Sequence, residues 1–350
     1  MRHSANLDIL RTFAVASVLV QHLVATLIAH AGFQNVAIAG FTSQIGRAGV
    51  IAFFVHTSLV LMYSLERLSQ SADQISFRFY LRRFFRIYPL AIFCITLALL
   101  VHIPSTTWES PDAITLRVIV ANLFLVQNLI TKMSIIGPLW SLPYEVQMYI
   151  VLPALYYIAI RRHAVSYLCG LFALFCCLGF VIAEKSGGHL NMAAYIPCFL
   201  SGVLCYALRN RIRAFLPSAL WPFFVLLLIS AYCLTNMTGR PSFWKGWIFC
   251  VFLGLAINAF HVSSNRPINI VAEKIALYSY GIYLLHIPVL YFVFMVLGIR
   301  NLFFGPLLFV ALTVFAAIIT YHSIESPFIN IGRKLSSRSP RTSVSLSAQD

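Results

Sequence analysis

What most constrains this chain is the recurrence of apolar runs that can cross a bilayer. They lie near 8–30, 46–66, 87–104, 139–160, 164–183, 192–208, 215–235, 243–260, 275–298 and 302–322. A spanning helix needs about 20 largely apolar residues. Backbone in hydrocarbon must satisfy its own hydrogen bonds, which leaves helices or closed barrels, and runs of this length predict helices. Only 10% of the residues are charged, against about 25% in globular proteins, and the mean hydropathy is +0.85. The expected fold is an all-α polytopic membrane protein of about ten transmembrane helices. Its transmembrane domain would fill 1–332, followed by a disordered cytoplasmic tail over 333–350. Ala29-His30-Ala31 faintly resembles a cleavage site. The apolar run before it is longer than a signal-peptide core and has Gln21-His22 at its centre, so an uncleaved span is expected.

Loop charge decides an eleventh run, 114–131, because basic residues gather on cytoplasmic loops. If it does not cross and the N-terminus is inside, Arg82-Arg83, Arg161-Arg162, Arg209, Arg211 and Arg213 all fall in the cytoplasm with most of the 25 basic residues. If it crosses, every later loop flips. The segment 114–137 is therefore expected to be non-spanning or re-entrant on the outer side, with both termini cytoplasmic. Its Arg117, Asn122, Gln127 and Asn128 suit a cavity wall better than lipid. The same asymmetry accounts for the formal net charge of +15, and no nucleic-acid partner is expected. The eight cysteines sit mostly in apolar runs without metal-ligand spacing, so neither a disulfide framework nor a metal site is expected.

Four constellations interrupt this apolar background. In the first, Asp8, Arg11 and His22 share one run. Eleven helical steps turn about 1,100°, which returns His22 to the face of Arg11 about 16 Å further along the axis. Arg11 then sits near a membrane surface, and His22 near mid-membrane, where an ionisable group is a functional candidate; the alternative is a histidine bonded to a neighbouring helix. In the second, Arg78, Arg82 and Arg86 form a stripe with Arg83 beside it. Such a stripe can grip phosphates, or simply anchor the chain to anionic membrane lipids. In the third, Glu145 lies in the otherwise apolar run 139–160 and needs a partner, either an arginine or tyrosine or, functionally, His22. In the fourth, Tyr280, Tyr283 and His286 lie near one helical stripe, where aromatic packing is the alternative to a role in a site. Glu325-Ser326-Pro327 reads as a structural stop and a possible salt-bridge partner.

Together these pieces resemble the membrane acyltransferase-3 family, the O-acetyltransferase-like acyltransferases of bacterial envelope sugars. The matching motifs are Leu7-Asp8-x-Leu10-Arg11 through to His22, Gly49-Val50 with Phe53-Phe54-Val55, Arg82-Arg83-x-x-Arg86-Ile87-x-Pro89, Trp140-Ser141-Leu142-x-x-Glu145-x-x-x-Tyr149, and Ser279-Tyr280-x-x-Tyr283-Leu284-x-His286. The resemblance covers the chain to about residue 328. One departure follows Phe54-Val55. The family continues Ser-Gly-Phe where this chain has His56-Thr57-Ser58-Leu59, and an acidic position is Ala52. The second helix is therefore expected to shape a different pocket.

The resemblance implies a multi-pass protein of the bacterial inner membrane that takes acyl groups, most often acetyl, from cytoplasmic acyl-CoA. No bound cofactor is expected; acyl-CoA is a co-substrate, and the acceptor is a hydroxyl of a carbohydrate or lipid-linked sugar. The family's arginine and histidine separated by ten residues fall on Arg11 and His22, and its arginine-rich loop on Arg82, Arg83 and Arg86. His22 is then the expected base, with Glu145 orienting it and Asp8 holding Arg11; an acyl-histidine is the alternative chemistry. Trp140, Ser141, Tyr149, Tyr280, Tyr283 and His286 are the further expected substrate-binding residues. A proton-coupled transporter or flippase is the competing reading, since a mid-membrane His and Glu can relay protons, and an inactive scaffold is a third. Transport through inverted repeats predicts internal symmetry, which the sequence does not display.

Overall fold

The computed structural model describes residues 5–30, 36–71, 74–103, 114–185, 192–236 and 242–337. The helices in chain order are α1 (Ala5–His30), α2 (Val36–Ser71), α3 (Ile75–Val101), α4 (Leu116–Leu123), α5 (Gln127–Ile130), α6 (Leu142–Ala159), α7 (Ala164–Lys185), α8 (Met192–Leu208), α9 (Trp221–Thr235), α10 (Phe243–Ala259), α11 (Arg266–Tyr291), α12 (Phe304–Thr320) and α13 (Ser326–Ser337). No strand occurs among the described residues; one isolated bridge joins Leu216 to Phe260.

Among the described residues, seven helices are long and apolar enough to cross a membrane: α1, α2, α3, α7, the segment Ser218–Thr235 that contains α9, α11 with its π-helical extension, and α12 continuing into α13. The chain is thus an all-helical, multi-pass membrane protein. The other three expected spans are less complete. Among the described residues α8 and α10 show 17 residues each, and α6 has 18 but carries Glu145 and Gln147. Helices of that size reach only about 25–27 Å against a hydrocarbon layer of about 30 Å.

Within 114–137, α4 has eight residues and α5 has four, each too short to cross. Contacts show where the flanking helices point. The hydroxyls of Tyr156 and Ser69 lie 2.8 Å apart, so the C-terminal ends of α2 and α6 share one face of the bundle. The stretch between α3 and α6 therefore leaves from and returns to the opposite face. Asn122 organises it: its amide donates to the Val118 and Met133 carbonyls, and its Oδ1 accepts from the Ile135 amide.

Of the stretch expected as a tail, the structure describes only the first five residues. Residues 333–337 continue α13; of these Ser336 is buried and accepts from Arg82 at 2.8 Å, while 333–335 and 337 are exposed. Residues 338–350 lie outside the described residues.

The core of the bundle is α1 held between α2 and α11. α1 and α2 meet at glycine: a Cβ on Gly49 would lie 2.5 Å from the Ala14 carbonyl oxygen and 3.0 Å from Ser17 Cβ. Small residues of this kind let helices approach where no hydrophobic force drives them together. α1 and α11 run parallel, since contacts ascend together along both. Asn6 bonds to the backbone of His261 and Ser263, Arg11 to Ser279, and the His22 ring faces His286.

Candidate active site

α6 starts later than the apolar run 139–160 suggests. Pro138 and Pro143 favour first-turn positions, so Gly137–Trp140 forms a separate 3-10 turn and α6 begins at Leu142. Glu145 consequently sits in the first turn, where aligned amides stabilise a carboxylate. The Tyr149 hydroxyl, one turn on, donates to Glu145 Oε2 at 2.9 Å. Ser141, at the turn between the two helices, meets the Tyr283 hydroxyl at 2.8 Å, and Tyr283 also donates to the Pro138 carbonyl at 3.0 Å.

These groups wall a partly enclosed cavity of about 100 Å³. Its polar lining is Arg11, His56, Thr57, Arg83, Arg86, Ser141, Glu145, Tyr149, Ser279, Tyr280 and Tyr283, and Phe53, Phe54, Val60 and Ile87 close it. Arg11 turns toward the bundle interior. Its Nε donates to Ser279 Oγ at 2.6 Å, which aims the guanidinium inward. Arg86 pairs with Glu325 at 3.1 Å and lies over the Tyr280 ring at 5.8 Å. Arg83 Nε is buried and has no hydrogen-bond partner among the described residues. Three guanidiniums thus face two carboxylates, Glu145 and Glu325, which leaves a positive excess around a space only a few heavy atoms wide.

The arginine stripe divides. On a helix Arg86 lies about 40° from Arg82 and about 60° from Arg83, on opposite sides. The cavity takes Arg83 and Arg86, whereas Arg82 turns to the other flank and donates to Ser336 Oγ of α13 at 2.8 Å. Trp140 is also outside, packed against Tyr144 and Tyr195. Asp8 is buried in the first turn of α1 and does not line the cavity.

His22 does not pair with Glu145. The Glu145 carboxylate is turned to Tyr149 inside the cavity, while the His22 ring lies 5.0 Å from the ring of His286. Neither histidine lines the cavity. Tyr283, in the cavity wall, has its ring 6.1 Å from that of His286 and 6.0 Å from that of Phe53. Tyr283, His286 and His22 therefore form a series of rings leading away from the basic chamber.

Some residues at the site were read only in part from the sequence. Glu325, beside the cavity, was expected as a salt-bridge partner, and it pairs with Arg86. Its orientation had no signal, because a π-helical turn at Tyr321–Glu325 rotates it towards Arg86. Phe53 and Thr57 are four apart on a helix buried nearly all round, where periodicity singles out no face.

No curated protein and no solved structure matches the chain. A family model does: that of the acyltransferase-3 family, described as an acyltransferase domain, matches residues 4–322. That match takes in both the basic chamber and the histidine pair, and on it the chain belongs to the acyltransferase-3 family of membrane proteins.

Proposed function

We propose that the protein transfers an acetyl group from acyl-CoA to a hydroxyl of an envelope or secreted carbohydrate, in the bacterial inner membrane, through ten spans with both termini cytoplasmic. The observation that carries this reading is the convergence of Arg11, Arg83 and Arg86 on one partly enclosed cavity, with Arg83 Nε unpartnered among the described residues. Guanidinium is the side chain suited to phosphate, which it binds through paired N–H groups. Arg83 and Arg86 would hold the phosphate-bearing end of acyl-CoA. Arg11, Glu145 and Tyr149 would hold its polar arm.

The thioester would pass Tyr283 to reach His22. There His22 takes the proton of the acceptor hydroxyl as its oxygen attacks the thioester carbon. The C–O bond forms, the C–S bond breaks, and coenzyme A leaves as the thiol with that proton. General-base assistance of this kind contributes on the order of 10²–10⁴-fold. The test of donor recognition is titration of the detergent-solubilised protein with coenzyme A, read by thermal unfolding. Saturable stabilisation is expected, and its absence contradicts the reading.

A further inference from the structure

We propose that His286 is a positioning residue for His22: its Nε2 accepts a hydrogen bond from a ring N–H of His22, and so fixes which His22 nitrogen faces the substrate. This rests on the reading of His22 as the base.

The tautomer of His286 follows from its backbone contact. Its Nδ1 lies 2.7 Å from the Tyr283 carbonyl oxygen. A carbonyl only accepts, so Nδ1 carries the hydrogen, and in the neutral ring Nε2 then holds the lone pair. That Nε2 is buried with no partner among the described residues, in a side chain with 0% exposure. Buried acceptors are rarely left unmatched. The His22 ring packs against the same imidazole, 5.0 Å away between centroids and tilted by 46°. Two imidazoles joined by an N–H···N bond of ordinary length have centroids about 5 Å apart. The rings are therefore already at bonding separation, and rotation of His22 about its side-chain torsions completes the alignment.

The backbone maintains this register. α1 and α11 run parallel and are tied at Arg11–Ser279, two turns of α11 before His286. With one nitrogen of His22 committed to His286, the other is left as the lone pair that takes the acceptor's proton. When that proton arrives, the bond to Nε2 stabilises the imidazolium, and the proton then leaves on coenzyme A.

Two amide substitutions separate this role from a structural one. The amide nitrogen of Asn stands where Nδ1 stood, and the amide of Gln reaches the place of Nε2. His286→Asn keeps the tether to Tyr283 and removes the acceptor; His286→Gln restores an acceptor. With labelled acetyl-CoA and membrane vesicles carrying the native acceptor, His286→Asn is expected to lower kcat about 10- to 100-fold with KM for acetyl-CoA unchanged. His286→Gln is expected to recover most of that loss. Near-normal kcat in His286→Asn, or a Gln variant no better than Asn, overturns the proposal.

Histidine ¹⁵N resonances of the unsubstituted protein give a second readout that needs no variant. A protonated Nδ1 and a hydrogen-bonded Nε2 at His286 support the proposal, and the reverse tautomer overturns it. His22→Ala, run in parallel, separates the two claims. If it retains turnover, the base reading itself fails; if it loses turnover while His286→Asn does not, only the positioning role fails.

Discussion

Arg86 and Glu325 meet at 3.1 Å where α3 passes the π-helical turn before α13, with side-chain exposures of 21% and 0%. The pair joins the basic chamber to the last helix of the bundle, and it decides how much of the Arg86 charge faces a ligand.

Removing one partner strands the other in a poorly solvated site. Glu325→Ala is expected to cost about 3–5 kcal/mol, because a buried charge without its partner is strongly unfavourable. Replacing both residues is expected to cost less than the sum of the single changes. Thermal unfolding of the four members of the double-mutant cycle in detergent measures the coupling, and additive losses would show that the pair is not energetically joined.

The arginines of α3 should separate by the face they occupy. Arg83→Ala removes a guanidinium that lines the cavity and is expected to weaken coenzyme A binding about 10- to 100-fold, the scale of a lost charge-assisted hydrogen bond. Arg82→Ala, whose side chain turns to Ser336, is expected to change that affinity less than about threefold. Titration of both variants checks this, and equal losses would place the phosphates outside the cavity.

Gly49 sets the approach of α1 to α2. Gly49→Val forces its new side chain against the Ala14 carbonyl and Ser17, at an expected cost of about 1–3 kcal/mol or more from overpacking. The same displacement presses α1 toward α11 and disturbs the Arg11–Ser279 bond, so coenzyme A affinity should fall together with the unfolding midpoint. A variant with unchanged midpoint would show that the helices have slack at this crossing.

The sequence made the helices legible because hydrocarbon permits little else. Arg11, Arg83, Arg86, Glu145 and Tyr283 stood out as polar groups in or beside apolar runs, and Tyr149 came with the family resemblance; all six line one cavity. The sequence did not reveal how they pair. Glu145 and His22 were the two mid-run ionisable groups and invited pairing. Yet two prolines delay the start of α6, leaving Glu145 beside Tyr149 and His22 against His286. The stripe of Arg78, Arg82 and Arg86 was correctly periodic, but periodicity does not say which flank faces a cavity and which faces α13. The family resemblance bridged part of that gap, because it brings together motifs far apart in the chain.

The most direct test of the central claim is transfer of labelled acetyl from acetyl-CoA into the carbohydrate fraction of inverted membrane vesicles, comparing the protein with its His22→Ala variant. The account expects label to accumulate with the unsubstituted protein and the rate to fall about 100-fold or more in the variant, while coenzyme A still stabilises both. Equal rates in the two, or no transfer from acetyl-CoA by the unsubstituted protein, would contradict it.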